Sequence, residues 1–451
     1  MKTYDGRAKA LLLHPTMAFI VIIGLVIRLA AVPLAHADGY YMSDERQYVN
    51  MAYRVLDGQG FVSDNGEFST IAPLYIFVLA GVFKLFGSSL VVPHILGCIL
   101  GTIIILLTAL LSLRLFGRER AAFMAAGVAS LYPSFVIYSG LLVTEILYMT
   151  LFLCSFLLAY RLSEHVSVGS GFMLGVISGL AALTRAVFLG FVPVLLLVIW
   201  WTRKRSNSTE KGIKDLLVAL AVCCLILSPW TFRNYEVHHA FVPVSTGSGK
   251  VLLTGNNPFA PQSWHANGFE EWIREQAAER GVQSLASLSE VGLFSLYGKI
   301  ALDYMVTHPL ATLLLAVQKA HIFWIYPVAN TASNIPVQLA VTGADFLLYL
   351  GAAIGLVASW KYKQRLLLLL VAAVFFFGVQ VVFHSEARFR LPIVSFLCLF
   401  FGYAVMMLTD REQRKEFMAH RMSMIGSSIA VCSIVGVYIY TGVLFLTGKI
   451  S

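Results

Sequence analysis

Apolar runs of about 20 residues, the length that crosses a bilayer core, recur along nearly the whole chain. They lie at about 15–35, 89–113, 121–139, 144–161, 170–186, 187–202, 214–230, 338–359, 366–383, 391–409 and 423–446. Two further runs, "APLYIFVLAGVFKLFG" (72–87) and "PLATLLLAVQKAHIFWIYP" (309–327), open at or beside a proline and carry a lysine. The pattern predicts an all-α polytopic membrane protein. It has about eleven transmembrane helices (range 11–13), plus outer-face interfacial or re-entrant helices.

The polar connections set the orientation. Of the 33 Lys and Arg, 19 fall in six places: the N-terminus, 114–120, Arg161, 203–214, 361–365 and 411–421. The positive-inside rule puts such connections in the cytoplasm. All of them lie inside only if 72–87 and 309–327 stay at the outer face without crossing. The C-terminus is then outside, and three polar segments share the outer face: 36–71, 231–308 and "HSEARFR" (384–390). The expected organisation is an N-terminal transmembrane catalytic module, 1–230, with a first outer loop at 36–88. An outer-face loop or subdomain, 231–308, and C-terminal transmembrane helices, 309–451, follow. Within the outer stretch, "GFEEWIREQAAERGVQSL" reads as helix.

Composition agrees with this class. The chain is 58% hydrophobic and 13% charged, with mean hydropathy +0.77. A soluble fold has too little interior to hide that much apolar surface. The net charge of +9 is accounted for by topology and implies no nucleic acid. Six cysteines sit inside apolar runs without metal-site spacing and read as packing residues. The first apolar run lacks a clear cleavage site and reads as a retained helix.

The candidate chemistry lies on the outer face. "YYMSDERQYVNMAYRVLDGQGF" (40–61) follows the first span and carries adjacent carboxylates, Asp44 and Glu45. Ser43 is a candidate cap for a helix whose dipole favours acids in its first turn. Val49, Ala52, Tyr53 and Leu56 form an apolar stripe, and Asp57-Gly58 ends the helix. Glu145 and Arg185 stand at outer ends of spans, Arg233 just past another, and His384, Glu386, Arg388 and Arg390 in the last outer segment. Ionisable groups at membrane depth are costly and mark function or pairing.

These pieces resemble the GT-C glycosyltransferases, in the branch of protein O-mannosyltransferases and the lipid A aminoarabinose transferase. "DERQY" matches an Asp-Glu-x-x-Tyr pattern in that branch's first outer loop. "APLYIFVLAGVFKLFG", "RLFGRERAA", "LLVTEILY", "LTRAVFL", "PWTFRNY", "TGNNP" and "EARFRLP" look like its blocks, in its order, over about residues 15–409. Where many relatives have a lysine before paired prolines, this chain has "STIAPLY".

The resemblance implies transfer of a sugar from a polyprenyl-phosphate donor to an acceptor at the outer face, inverting at the sugar. The donor leaves as a phosphate or pyrophosphate, and the acceptor is a glycolipid, polysaccharide or protein. Asp44 is the candidate base, with Glu45 and Glu145 as further acids. Arg233, Arg388, Arg390 and, more weakly, Arg185 are candidates for the donor phosphate, because a guanidinium fork matches phosphate oxygens. Tyr48, Asn256, Asn257, His384 and Glu386 are candidates for sugar or acceptor contact, although Gly-Asn-Asn-Pro is equally an ordinary turn. His384 and Glu386 have no third ligand at regular spacing, so no metal or other cofactor is expected to be required. The expected setting is a monomer in the inner (cytoplasmic) membrane, surrounded by lipid. A transporter or flippase of a lipid-linked sugar is the competing class, but it places charges near the midplane and often shows internal repeats. A GT-C ligase or protein glycosyltransferase is the competing chemistry.

Overall fold

A computed structural model describes residues 4–35, 42–205, 212–261, 263–325 and 335–419, with scattered positions between 425 and 437. Among the described residues the regular structure is entirely helical. Eight helices among the described residues are long and apolar enough to cross a membrane, or ten if each of two bent pairs is one span. The expected last span, 423–446, falls largely outside the described residues.

Both bends fall at prolines. Helix Glu119–Leu131 breaks from Pro133–Gly140 at 55°, and Glu290–Thr307 from Pro309–Ile325 at 110°. Proline lacks the N–H that would continue the ladder and pushes the preceding residue out of helical geometry. Tyr132 is accordingly extended, with φ −63° and ψ 118°. The run at 121–139, expected as one span, is thus bent at Pro133. Arg28 braces the break from the first long helix, Pro15–Ala35. Fully buried, it donates to the carbonyls of Ala129 and Ser130 at 3.1 and 3.0 Å, and to Ser139 Oγ at 3.2 Å.

Packing concentrates on helices Thr144–Glu164 and Leu391–Thr409, which are largely enclosed by the rest. Phe152, Phe156, Phe188, Phe191, Phe376 and Phe396 stack between them and their neighbours. Helices Val168–Thr184 and Lys214–His238 approach closely through Gly171, Gly175 and Gly179. A Cβ at Gly171 would lie 2.2 Å from Asp215 O, and at Gly175 2.5 Å from Ala219 O. Small residues at this spacing let membrane helices touch backbone to backbone. Residues 252–301 hold a second, smaller core around Leu253, Phe269, Phe294 and Ile300, and Phe269–Glu279 is the helix expected there.

The basic connections gather at one end. Arg7 donates to Gly117 O, Arg365 to Leu115 O and Tyr160 to Arg365 O. Arg114 pairs with Glu164 at 2.7 Å and Arg203 with Asp215 at 2.8 Å, while Arg120 lies 3.8 Å from Asp410. Helix Pro309–Ile325 contacts the opposite end through Lys319, which donates to the carbonyls of Val382 and Phe383. Helix Leu74–Phe86, at 13 residues, is too short to cross.

Candidate active site

The helix Ser43–Leu56 begins the site. Its N-cap is Met42, and no side chain caps it, so Ser43 lies inside the first turn and does not fill the capping role expected of it. Val49, Met51 and Ala52 anchor the helix by burial against helix Leu74–Phe86 and the main core. Asp57 and Gly58 (φ 74°) end it as expected. Anchored this way, the first turn faces the segment 384–390.

There Asp44 meets Arg388. Arg388 Nη1 donates to Asp44 Oδ2 at 2.6 Å, across 344 residues of sequence. The same guanidinium has its Nε 2.6 Å from Glu386 Oε2 and 3.6 Å from Glu145 Oε1. Glu145 in turn accepts from Arg185 Nη1 at 3.2 Å and from Thr144 Oγ1 at 3.3 Å. Arg185 lies over the Phe389 ring, 4.5 Å from its centroid. Five of the residues singled out in the sequence, Asp44, Glu145, Arg185, Glu386 and Arg388, therefore form one ionic cluster. Asp44 is partly exposed and Glu145 buried.

Glu45 is fully buried on the other side of the turn. Tyr48, one turn on from Asp44, packs edge-on against Tyr75, 5.9 Å between centroids. Desolvation, reinforced by the charges of Asp44 and Glu145, pushes the Tyr48 hydroxyl above its ordinary range. For Glu386, burial favours the neutral acid, but the hydrogen bond from His384 and the Arg388 charge outweigh it and hold the carboxyl at about 2. Among the described residues no three His, Cys, Asp or Glu side chains are placed to share a metal ion. The Arg388 guanidinium contacts all three carboxylates of the cluster.

Four of the remaining candidates have other partners. Arg390, fully buried, donates to Asp345 Oδ2 at 2.5 Å and to Phe323 O at 2.9 Å. Tyr132 donates its hydroxyl to the same Asp345. Arg233 donates to Phe68 O, Ser69 Oγ and Phe61 O and lies over the Trp230 ring, tying down the first outer loop. Asn256 donates to Val382 O and Phe383 O and accepts from Lys319. Asn257 donates to Leu253 O and Ser263 Oγ and accepts from the Phe259 N–H, so the pair forms a locked turn. Neither arginine is aimed at the cluster, and neither asparagine is open to a sugar. Asp345, Tyr132 and Lys319 were not singled out in the sequence. Asp345 and Lys319 carried a signal, each an isolated charge inside an apolar run.

Residues 70–232 match the sequence family described as dolichyl-phosphate-mannose-protein mannosyltransferase. No curated protein matches the chain. The Archaeoglobus fulgidus oligosaccharyltransferase tethered to an acceptor peptide is structurally similar, with TM-score 0.55 and 15% identity over 95% of this chain and 54% of that one. The archaeal enzyme, AglB, in complex with an inhibitory peptide and a dolichol-phosphate, gives TM-score 0.55 and 17% identity over 94% and 55%. ArnT from Cupriavidus metallidurans bound to undecaprenyl phosphate gives TM-score 0.42 and 18% identity over 86% and 77%. The chain thus spans about half the length of the archaeal enzyme. Its fold is the GT-C fold implied by the sequence blocks, shared with the archaeal oligosaccharyltransferase.

Proposed function

We propose that this GT-C protein transfers a sugar from a polyprenyl-phosphate-linked donor to an acceptor at the outer face of the cytoplasmic membrane, without a cofactor. The observation that carries the reading is the cluster itself: one guanidinium, Arg388, shared among Asp44, Glu145 and Glu386. A donor phosphate offers the fork of Arg388 the same paired oxygens as a carboxylate. Its arrival draws Arg388 from Asp44 and leaves Asp44 free to accept a proton. The acceptor hydroxyl or amide gives that proton to Asp44 as its oxygen or nitrogen bonds to the anomeric carbon. The bond from that carbon to the phosphate oxygen breaks, and the polyprenyl phosphate leaves with the electron pair. A single displacement of this kind inverts the anomeric centre. Arg185 and Arg388 offset the charge that grows on the leaving phosphate.

An apolar cavity of about 580 Å³ supports a lipid-linked substrate. It is lined by Trp324, Tyr349, Ile393, Phe396 and Phe400 among others. The gathering of the basic connections at the other end supports an outer-face site.

The test incubates purified protein with undecaprenyl-phosphate-linked mannose, glucose or aminoarabinose and an envelope extract as acceptor. Undecaprenyl phosphate should be released by the wild type and far more slowly by Asp44→Asn; no release by the wild type removes the assignment, and equal release by both takes the base role from Asp44. Cysteines at 361 and 411 should resist membrane-impermeant labelling of intact cells, while one at 44 should react. Outside labelling of residue 361 overturns the sidedness.

A further inference from the structure

The short turn that carries Glu386 and Arg388 is gripped at both ends by buried polar groups. At its start, helix Lys363–Val382 leaves its last carbonyls without helical partners. Asn256 Nδ2 donates to Val382 O and Phe383 O at 2.9 and 3.3 Å. Lys319 Nζ donates to the same two carbonyls at 3.2 and 3.3 Å, and to Asn256 Oδ1 at 2.9 Å. Gly255 makes the approach possible, because a Cβ there would lie 1.7 Å from Phe383 O.

At the turn's end, Arg390 is held by Asp345, and Asp345 by Tyr132. Arg390 also donates to the carbonyl of Phe323, one helical turn on from Lys319. A single helix, Pro309–Ile325, therefore serves both grips. Asp345 and Lys319 are almost fully buried, and neither contacts the ionic cluster directly.

Buried charges of this kind are weak as stabilisers, since apolar residues of similar volume pack at least as well. What they supply is direction. Three carboxylates compete for Arg388, and a turn free to rotate would let the guanidinium settle on any of them.

We infer that Lys319 and Asp345, acting through Asn256 and through Tyr132 and Arg390, are positioning residues that fix the turn so that Arg388 faces Asp44. This rests on the transfer role proposed for the Asp44–Arg388 pair.

A double-mutant cycle tests it. Tyr132→Phe keeps the ring and both charges and removes only the hydroxyl, and Lys319→Met removes the other grip. Each should lower release of undecaprenyl phosphate from undecaprenyl-phosphate mannose on the order of 10-fold, the scale of small misplacements, while the melting temperature holds within a few degrees. In an Arg388→Ala background neither should lower it further, because the group they aim is gone. Equal losses in both backgrounds overturn the inference and leave a purely structural role. Binding of undecaprenyl phosphate, followed by native mass spectrometry, gives the same cycle without turnover. A wild type that binds this lipid but never releases it from a sugar overturns the transfer reading, and the cycle on binding still decides this one.

Discussion

Arg203 at the basic end, buried, and Arg388 at the opposite end, partly buried, both lie beside carboxylates, yet their surroundings differ in stoichiometry. Arg203 donates to both oxygens of Asp215, at 3.0 and 2.8 Å, and to the carbonyls of Leu162 and Gly212. Both partners are essentially inaccessible, so one acid and two carbonyls close the arginine's needs. Arg388 has three acids for one guanidinium, and its two near partners at 2.6 Å, Asp44 and Glu386, keep 28% and 39% of their side chains exposed. A closed pair holds helices together. An over-subscribed and accessible one is ready to exchange partners.

The largest expected effect separates the two directly. Asp44→Asn keeps size and shape, so the protein should insert and melt normally while turnover falls about 10²–10⁴-fold, the usual share of a general base. Turnover near wild type would make Asp44 another closed pair. Asp215→Ala should do the converse. It leaves Arg203 buried with no counter-charge, a loss of about 3–5 kcal/mol seen as a lower denaturation midpoint, with little change in turnover per folded molecule. Next in size, Arg388→Ala should weaken donor use by about 1–3 kcal/mol, read as a raised donor KM, and lysine should restore only part because it lacks the planar fork. An unchanged KM would take Arg388 off the donor.

The smallest effect follows pH. The Glu386 carboxyl is held at about 2 in the folded protein against an ordinary 4.5. A depressed folded value contributes stability above the ordinary value and loses it as pH falls through the folded one. Wild type should therefore lose melting temperature between about pH 4.5 and 2 more steeply than Glu386→Gln. The difference is modest, since over a third of the side chain is exposed and screened by solvent. Parallel profiles would show that Glu386 is not paired in solution.

Much of this comparison is legible in the sequence. Charges at the ends of apolar runs stand out because the membrane leaves them few places to go, and so Asp44, Glu145, Arg185, Arg233 and the charged residues of 384–390 can be placed together on the outer face from topology. Which way each arginine turns cannot be read that way. Arg388 and Arg390 are two residues apart in one short turn, and Asp345, a lone acid in another helix, decides that the second points inward. Arg233, near the end of helix Lys214–His238, is likewise turned away by the first outer loop, whose Phe61 and Phe68 carbonyls and Ser69 hydroxyl accept its hydrogen bonds. The break at Tyr132 was present in "SLYPSF" and was masked by the apolar run around it.

Arg28 carries a consequence for how the chain is made. An arginine at the centre of a membrane helix costs about 2.5–3.5 kcal/mol on insertion scales. Besides Gly24 of its own helix, its partners are the carbonyls of Ala129 and Ser130 and the hydroxyl of Ser139, 101–111 residues later. At about 5–20 residues per second, the ribosome delivers them roughly 5–20 s after Arg28 itself. Through that interval the first long helix lacks its partners and depends on the insertion machinery or on reaching toward the headgroups. It should become resistant to extraction in nascent chains ending near residue 180, with Ser139 clear of the ribosome, and not in those ending near 120. Equal resistance at both lengths would mean that the first helix settles without its later partners.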